Sequence, residues 1–353
     1  MSSPDTIYFH VTKACNLRCV YCYFSAGDPM DKELSTKEAL LVLKSASLLK
    51  PRRVVFTGGE PLLRKDILKL ARALKSIGNG IHLCITTNGT LINEENAKDL
   101  VKNFDEIRIS IDGFKEINDA MRGKGTFEKT MNAFRRVLNA GGDPVASVTI
   151  TSLNLPHLKD FMHFLLRNGI LKIHISPLKI VGRAKDDKML CNFEEIKRTV
   201  EEFWYETFGL RLKSDVKESF NCGVGKFLTV YPDGSVYPCH VLAFPEFCIG
   251  NVRKQELYSI YHDSILMNKL KNLHFSEIAQ CAECFKELSQ ERTCLGVCAQ
   301  ERNFRKQLVD LLSNNTILTM SHLILYLNNK DIGKIKSSLE RLFEKKGGGD
   351  VKG

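Results

Sequence analysis

Along the first half of the chain, short β-branched runs alternate with stretches whose apolar positions recur every three or four residues. Strand-like runs stand at IYFHVT (7–12), RVVFTG (53–58), IHLCITT (81–87), EIRISID (106–112), PVASVTIT (144–151) and LKIHIS (171–176). Helical periodicity fills 36–49, 65–77, 93–102, 127–140 and 156–168 between them. Six strand–helix repeats predict an α/β fold with a parallel sheet, curled into a full or partial (β/α)6 barrel. Ligands in such barrels collect at the carboxyl ends of the strands. The cysteine-rich loop after the first strand and Gly58-Gly59-Glu60-Pro61 after the second are therefore expected on one rim.

Beyond about residue 180 the pattern changes. A helix near 193–208 leads to FLTVYPDGSVYPC, two alternating runs around Pro232-Asp233-Gly234, which predicts a β-hairpin. The expected divisions are a barrel over 1–185, a helical connection over 186–214, a cysteine-rich domain over 215–310 and a helical tail over 311–353 that frays in KKGGGDVKG.

Composition narrows the field. A chain of 353 residues that is 43% hydrophobic can bury a sizeable core. The start, MSSPDTIYFHVT, lacks a basic stretch followed by an apolar one, and no window reaches the length of a membrane span, so a cytoplasmic protein without a membrane role is expected. In a reducing compartment 12 cysteines point to metal ligands or catalytic groups rather than disulfides, although Cys84 and Cys191 stand alone. The net charge of +10 is spread over the chain with no concentrated basic block. It reads as solvated surface rather than a nucleic-acid face, and it would suit an anionic cofactor or an acidic peptide.

The densest chemistry lies in CNLRCVYCY, with Cys15, Cys19 and Cys22 spaced i, i+4, i+7. Three thiols make neither paired disulfides nor a closed four-ligand zinc site. They suit a cubane iron–sulfur cluster, whose fourth iron stays open for another ligand. The plainer reading, a buried helical stripe, sits poorly with Asn16 and Arg18 between the cysteines.

This run resembles the signature of the radical SAM superfamily, and Gly58-Gly59-Glu60-Pro61 matches that family's GGEP motif. The resemblance spans roughly residues 5–180. It implies a [4Fe–4S] cluster on Cys15, Cys19 and Cys22 whose open iron chelates S-adenosylmethionine. Glycines at 58 and 59 would let the backbone approach the ligand, with Glu60 accepting from the methionyl ammonium and Pro61 closing the motif. By the same resemblance Tyr21 would contact adenine, while Ser110 and Arg122 would hold the methionyl carboxylate, which suits a guanidinium fork. Each has a plain counterpart: a buried tyrosine, a strand-end cap and a surface arginine.

A second set, Cys222-x11-Gly234-x4-Cys239 followed by Cys281-x2-Cys284-x9-Cys294-x3-Cys298, looks like the SPASM extension of peptide-modifying radical SAM enzymes. It implies one or two auxiliary [4Fe–4S] clusters, with Cys222, Cys239 and Cys298 on the first and Cys281, Cys284 and Cys294 on the second. The x9 gap is longer than the pattern, and no cysteine follows Cys298. A single closed site on Cys281, Cys284, Cys294 and Cys298, with Cys248 joining Cys222 and Cys239 elsewhere, stays open, as does zinc. His240 follows Cys239 where sulfatase-maturating relatives carry a basic aspartate; it is a candidate base or a residue packed beside a cluster.

The resemblance implies reductive cleavage of S-adenosylmethionine to a 5′-deoxyadenosyl radical, which takes hydrogen from a peptide or protein in an oxidative maturation such as a thioether or carbon–carbon crosslink. The implied partners are the peptide substrate, a flavodoxin or ferredoxin reductant and a separate leader-peptide-binding protein, since the barrel pattern starts close to Met1. The alternatives are a tetrapyrrole-modifying enzyme of the same superfamily and a non-catalytic iron–sulfur or zinc protein.

Overall fold

A computed structural model describes residues 3–271, apart from 79, 186, 209–225 and 241. Six parallel strands, β1 (Thr6–Thr12), β2 (Arg53–Gly58), β3 (His82–Thr87), β4 (Glu106–Ser110), β5 (Val145–Ile150) and β6 (Lys172–Pro177), pair in sequence order. Helices α1 (Thr36–Leu48), α2 (Ile67–Ile77), α3 (Glu94–Asn103), α4 (Lys115–Arg122), α5 (Thr126–Asn139) and α6 (Leu158–Arg167) form the connections and the outer layer. The expected repeat is thus present, and α4 is an addition to it.

Alternation along each strand builds two different faces. On β1, Ile7, Phe9 and Val11 join the core shared with the helices, whereas Tyr8 lines the barrel cavity. The core continues through Phe56, Ile85, Ile109, Val148 and Ile175, one residue from each remaining strand. The helix ends follow their local chemistry. Ser35 and Glu38 form a reciprocal capping box that starts α1, and Asn93 with Asn96 does the same for α3.

The hairpin lies where the Pro-Asp-Gly turn puts it, as β7 (Phe227–Val230) and β8 (Ser235–Tyr237), with β9 (Gly250–Asn251) beyond. Strand β7 pairs in parallel with β1, so one nine-stranded sheet, ordered β6-β5-β4-β3-β2-β1-β7-β8-β9, runs across the expected boundary between barrel and cysteine-rich region. That pairing brings Cys239 and His240 to the barrel. Helices α7 (Phe193–Phe208), α8 (Leu257–Asp263) and α9 (Ile265–Lys271) complete the described elements. Cys222, Cys281, Cys284, Cys294 and Cys298 lie outside the described residues, as does the expected tail. Among the described residues, no helix is long and apolar enough to cross a membrane.

Candidate active site

The loop after β1 carries Cys15, Cys19 and Cys22, all three free thiols facing one cavity of about 240 Å³ at the strand ends. The loop is held by its own backbone and by the loop after β2. The Cys15 N–H donates to Gly27 O at 2.7 Å, and Gly59 and Glu60 N–H donate to Thr12 O and Ala14 O, both at 2.7 Å. This contact needs glycine. A Cβ on Gly59 would lie 2.0 Å from Ala14 O, and Gly58, at φ +130°, would put one 2.3 Å from Thr12 O. We expect Gly59→Ala to push the two loops apart and cut iron retained at this site by roughly half or more. Iron analysis after anaerobic reconstitution checks this, and an unchanged iron content would contradict it.

Glu60 is fully buried behind those glycines. Its Oε1 accepts from the Thr87 hydroxyl at 2.7 Å and Leu62 N–H at 3.1 Å, and its Oε2 from Asn88 N–H at 2.8 Å. Burial raises its pKa above the usual carboxylate range, and these three donors oppose the rise. Glu60 thus ties the β2 loop to the β3 loop. Pro61 begins the short turn of helix that follows it.

Asp112, just past β4, is a hub that motif reading missed. Fully buried, it accepts Arg122 Nε at 2.6 Å and Nη2 at 3.1 Å, Thr149 N–H at 2.9 Å and the Tyr21 hydroxyl. The Arg122 guanidinium also sits 5.5 Å from the Tyr21 ring centre. Tyr21 and Arg122, expected as separate ligand contacts, are therefore one assembly, and both line the cavity with Ser110. Burial pushes the Tyr21 hydroxyl above its usual range, so it stays a donor at neutral pH.

Asn88, in the Asn-Gly turn after β3, was missed as well. Its amide donates to Asn16 Oδ1 at 2.9 Å and stands 4.0 Å from Cys15 Sγ. From the opposite side, the hairpin brings His240 against Tyr8 and Tyr23, with ring centres 4.7 and 5.7 Å away. His240 Nδ1 is 3.9 Å from Cys239 Sγ. Burial, with Lys179 nearby, pushes its imidazole down to about 3, so the ring is neutral at pH 7 and a weak base.

The donor set fits a cluster. Burial pushes the Cys15 thiol up to about 11 and raises Cys19 too, so these sulfurs become thiolates on binding metal. Among the described residues, no three His, Cys, Asp or Glu side chains converge on a point that a single metal ion could occupy. A cubane binds each thiolate to a different iron and leaves its fourth iron open, which suits three cysteines lining one cavity. Cys22 Sγ accepts Ala26 N–H at 3.5 Å, and Cys15 Sγ accepts Leu17 N–H at 3.4 Å, a contact that favours the Cys15 thiolate.

Fold and site together define an α/β barrel with a three-cysteine loop facing the cavity at its strand-end rim. Comparison with known proteins agrees. The family model described as "Radical SAM superfamily" matches residues 9–165, and the SPASM model, an iron–sulfur cluster-binding domain, matches residues 222–285. Mycofactocin maturase MftC of Mycobacterium ulcerans is 30% identical over 275 residues, covering 71% of this chain and 72% of that protein. AdoMet-dependent heme synthase of Oleidesulfovibrio alaskensis is 29% identical over 294 residues, covering 73% and 74%. Among solved structures, Streptococcus suis SuiB bound to S-adenosylmethionine matches the fold with a TM-score of 0.69 at 16% identity, covering 91% of this chain and 76% of that one; SuiB has also been solved bound to precursor peptide SuiA. The chain belongs to the radical SAM superfamily and carries a SPASM domain.

Proposed function

We propose that this enzyme oxidatively modifies a peptide or protein, with S-adenosylmethionine and the Cys15–Cys19–Cys22 cluster in the barrel and one or two further clusters in the cysteine-rich region. The observation that carries the reading is the return of the hairpin to β1, which sets Cys239 and His240 beside the cavity that Cys15, Cys19 and Cys22 face. A redox centre held there could take the electron left when a substrate radical closes a new bond. When bound, the cluster and S-adenosylmethionine supply the adenosyl radical that abstracts hydrogen from the substrate.

The protein's own contribution is placement. Asp112 holds Arg122 and Tyr21 in fixed orientation at the cavity wall, where the guanidinium and the Ser110 hydroxyl would receive the methionyl carboxylate. The closely packed glycines keep the cluster loop and the β2 loop together. Cys222, Cys239, Cys281, Cys284, Cys294 and Cys298 would hold the auxiliary iron. The relatives named as a maturase and a precursor-peptide binder support a peptide substrate. A reductant of the flavodoxin or ferredoxin type and a separate leader-peptide-binding protein complete the scheme.

Reconstituted, reduced enzyme incubated with S-adenosylmethionine and a panel of acidic or cysteine-containing peptides is expected to change the mass of at least one of them. The similarity to a heme synthase favours a second reading, a tetrapyrrole substrate. A visible-spectrum change with a porphyrin, and unaltered peptide masses throughout, would replace the first reading with the second.

A further inference from the structure

Strands β1 and β6 are not paired, so the barrel sheet is open between them. Beyond their ends, a segment following β6 closes over the cysteine loop. Arg183 donates Nε to Cys19 O at 2.8 Å, Nη1 to Ala26 O at 2.6 Å and its backbone N–H to Cys22 O at 3.0 Å. Gly182 makes that approach possible, because at φ +70° a Cβ there would lie 2.4 Å from both Cys22 O and Tyr23 O. Leu178 and Ala184, on either side, pack with Tyr21 and Met121 in a small apolar cluster of their own.

The carbonyls that Arg183 engages belong to a turn with a chemical role. Ser25 takes a left-handed φ of +47°, and its N–H donates to Cys22 O at 3.1 Å. The next N–H, that of Ala26, then points back at Cys22 Sγ at 3.5 Å. A non-glycine residue in that conformation costs on the order of 1 kcal/mol, so the turn needs an outside restraint. Among the described residues, the guanidinium hydrogen bonds go to neutral carbonyls, those of Cys19 and Ala26, so the positive charge lies against the cysteine loop.

We propose that Arg183 is a positioning residue for the cluster, clasping the carbonyls of Cys19, Cys22 and Ala26 so that the loop keeps its N–H on Cys22 Sγ and the cluster sits beside a fixed cation. This rests on the reading that Cys15, Cys19 and Cys22 hold a cluster. It separates two effects of one side chain. The clasp governs how firmly iron is kept, and the charge favours the reduced, more anionic cluster and so raises its potential.

The test uses the full reconstituted chain as wild type, Arg183→Met, Arg183→Lys and Gly182→Ala. Three quantities are read: iron release to EDTA, the midpoint potential of the cluster whose electron paramagnetic resonance signal changes on adding S-adenosylmethionine, and thermal unfolding by circular dichroism. Arg183→Met is expected to release iron about tenfold faster and to lower the potential, while the unfolding midpoint stays close to wild type. Arg183→Lys should restore the potential but not the retention. Gly182→Ala, which lifts the strap but keeps the charge, should lose retention and leave the potential nearly unmoved. Wild-type retention and potential in Arg183→Met would overturn the proposal, as would iron loss that merely follows unfolding of the barrel. A wild-type chain with no signal responsive to S-adenosylmethionine would overturn the cluster reading itself, and the proposal with it.

Discussion

Asp112→Asn is expected to lower reductant-dependent 5′-deoxyadenosine formation by about two orders of magnitude, the scale on which a small misplacement of a positioning group acts. The carboxylate is fully buried and satisfies Arg122, Tyr21 and the Thr149 N–H at once. An amide of the same shape keeps the volume but loses the charge, and it must turn a donor towards one of those donors. Breaking a buried ion pair from one side costs roughly 3–5 kcal/mol, because the remaining guanidinium is left charged and uncompensated. Arg122 should then leave the cavity wall and Tyr21 lose its anchor. Tyr21→Phe removes one partner and keeps the pair, so about 1 kcal/mol and a much smaller loss of turnover are expected. Rates for the two variants, with affinity for S-adenosylmethionine measured by calorimetry, check the order. Equal effects would contradict the hub role of Asp112.

Replacing Cys15, Cys19 and Cys22 together by alanine is expected to remove about four irons per chain and abolish S-adenosylmethionine cleavage, while the irons of the cysteine-rich region remain. Iron and sulfide analysis against wild type reads this directly. Three thiols in one loop, facing one cavity, predict an all-or-none loss. A variant that keeps its full iron content would place the cluster elsewhere.

Much of this site was legible because its signals are local. The six strands stand within a residue or two of where apolar alternation puts them, since each runs between a helix and a turn that punctuate the chain clearly. The cysteine loop and the glycine pair follow strands that lie side by side, so they meet on one rim. Helix α4 was not legible: it is eight residues long, and of these Asn118, Met121 and Arg122 are the buried ones, so no apolar period announces it. Asp112 was missed because it ends the strand-like run EIRISID (106–112) and belongs to no motif. Its importance comes from Tyr21, ninety-one positions away, and from Arg122 on the unannounced helix. The ties from Glu60 to Thr87 and Asn88 were not legible for a similar reason, since these partners belong to the next strand and its loop. Turn chemistry announced the hairpin, but its pairing with β1 depends on tertiary packing, which no local pattern records.

The central claim is that this loop binds a cluster that opens S-adenosylmethionine for hydrogen abstraction. Its most direct test is to incubate anaerobically reconstituted, dithionite-reduced protein with S-adenosylmethionine and quantify 5′-deoxyadenosine by mass spectrometry. Reductant-dependent 5′-deoxyadenosine is expected from the wild-type chain and none from the triple alanine variant. No 5′-deoxyadenosine from a wild-type chain that holds at least about four irons would contradict it.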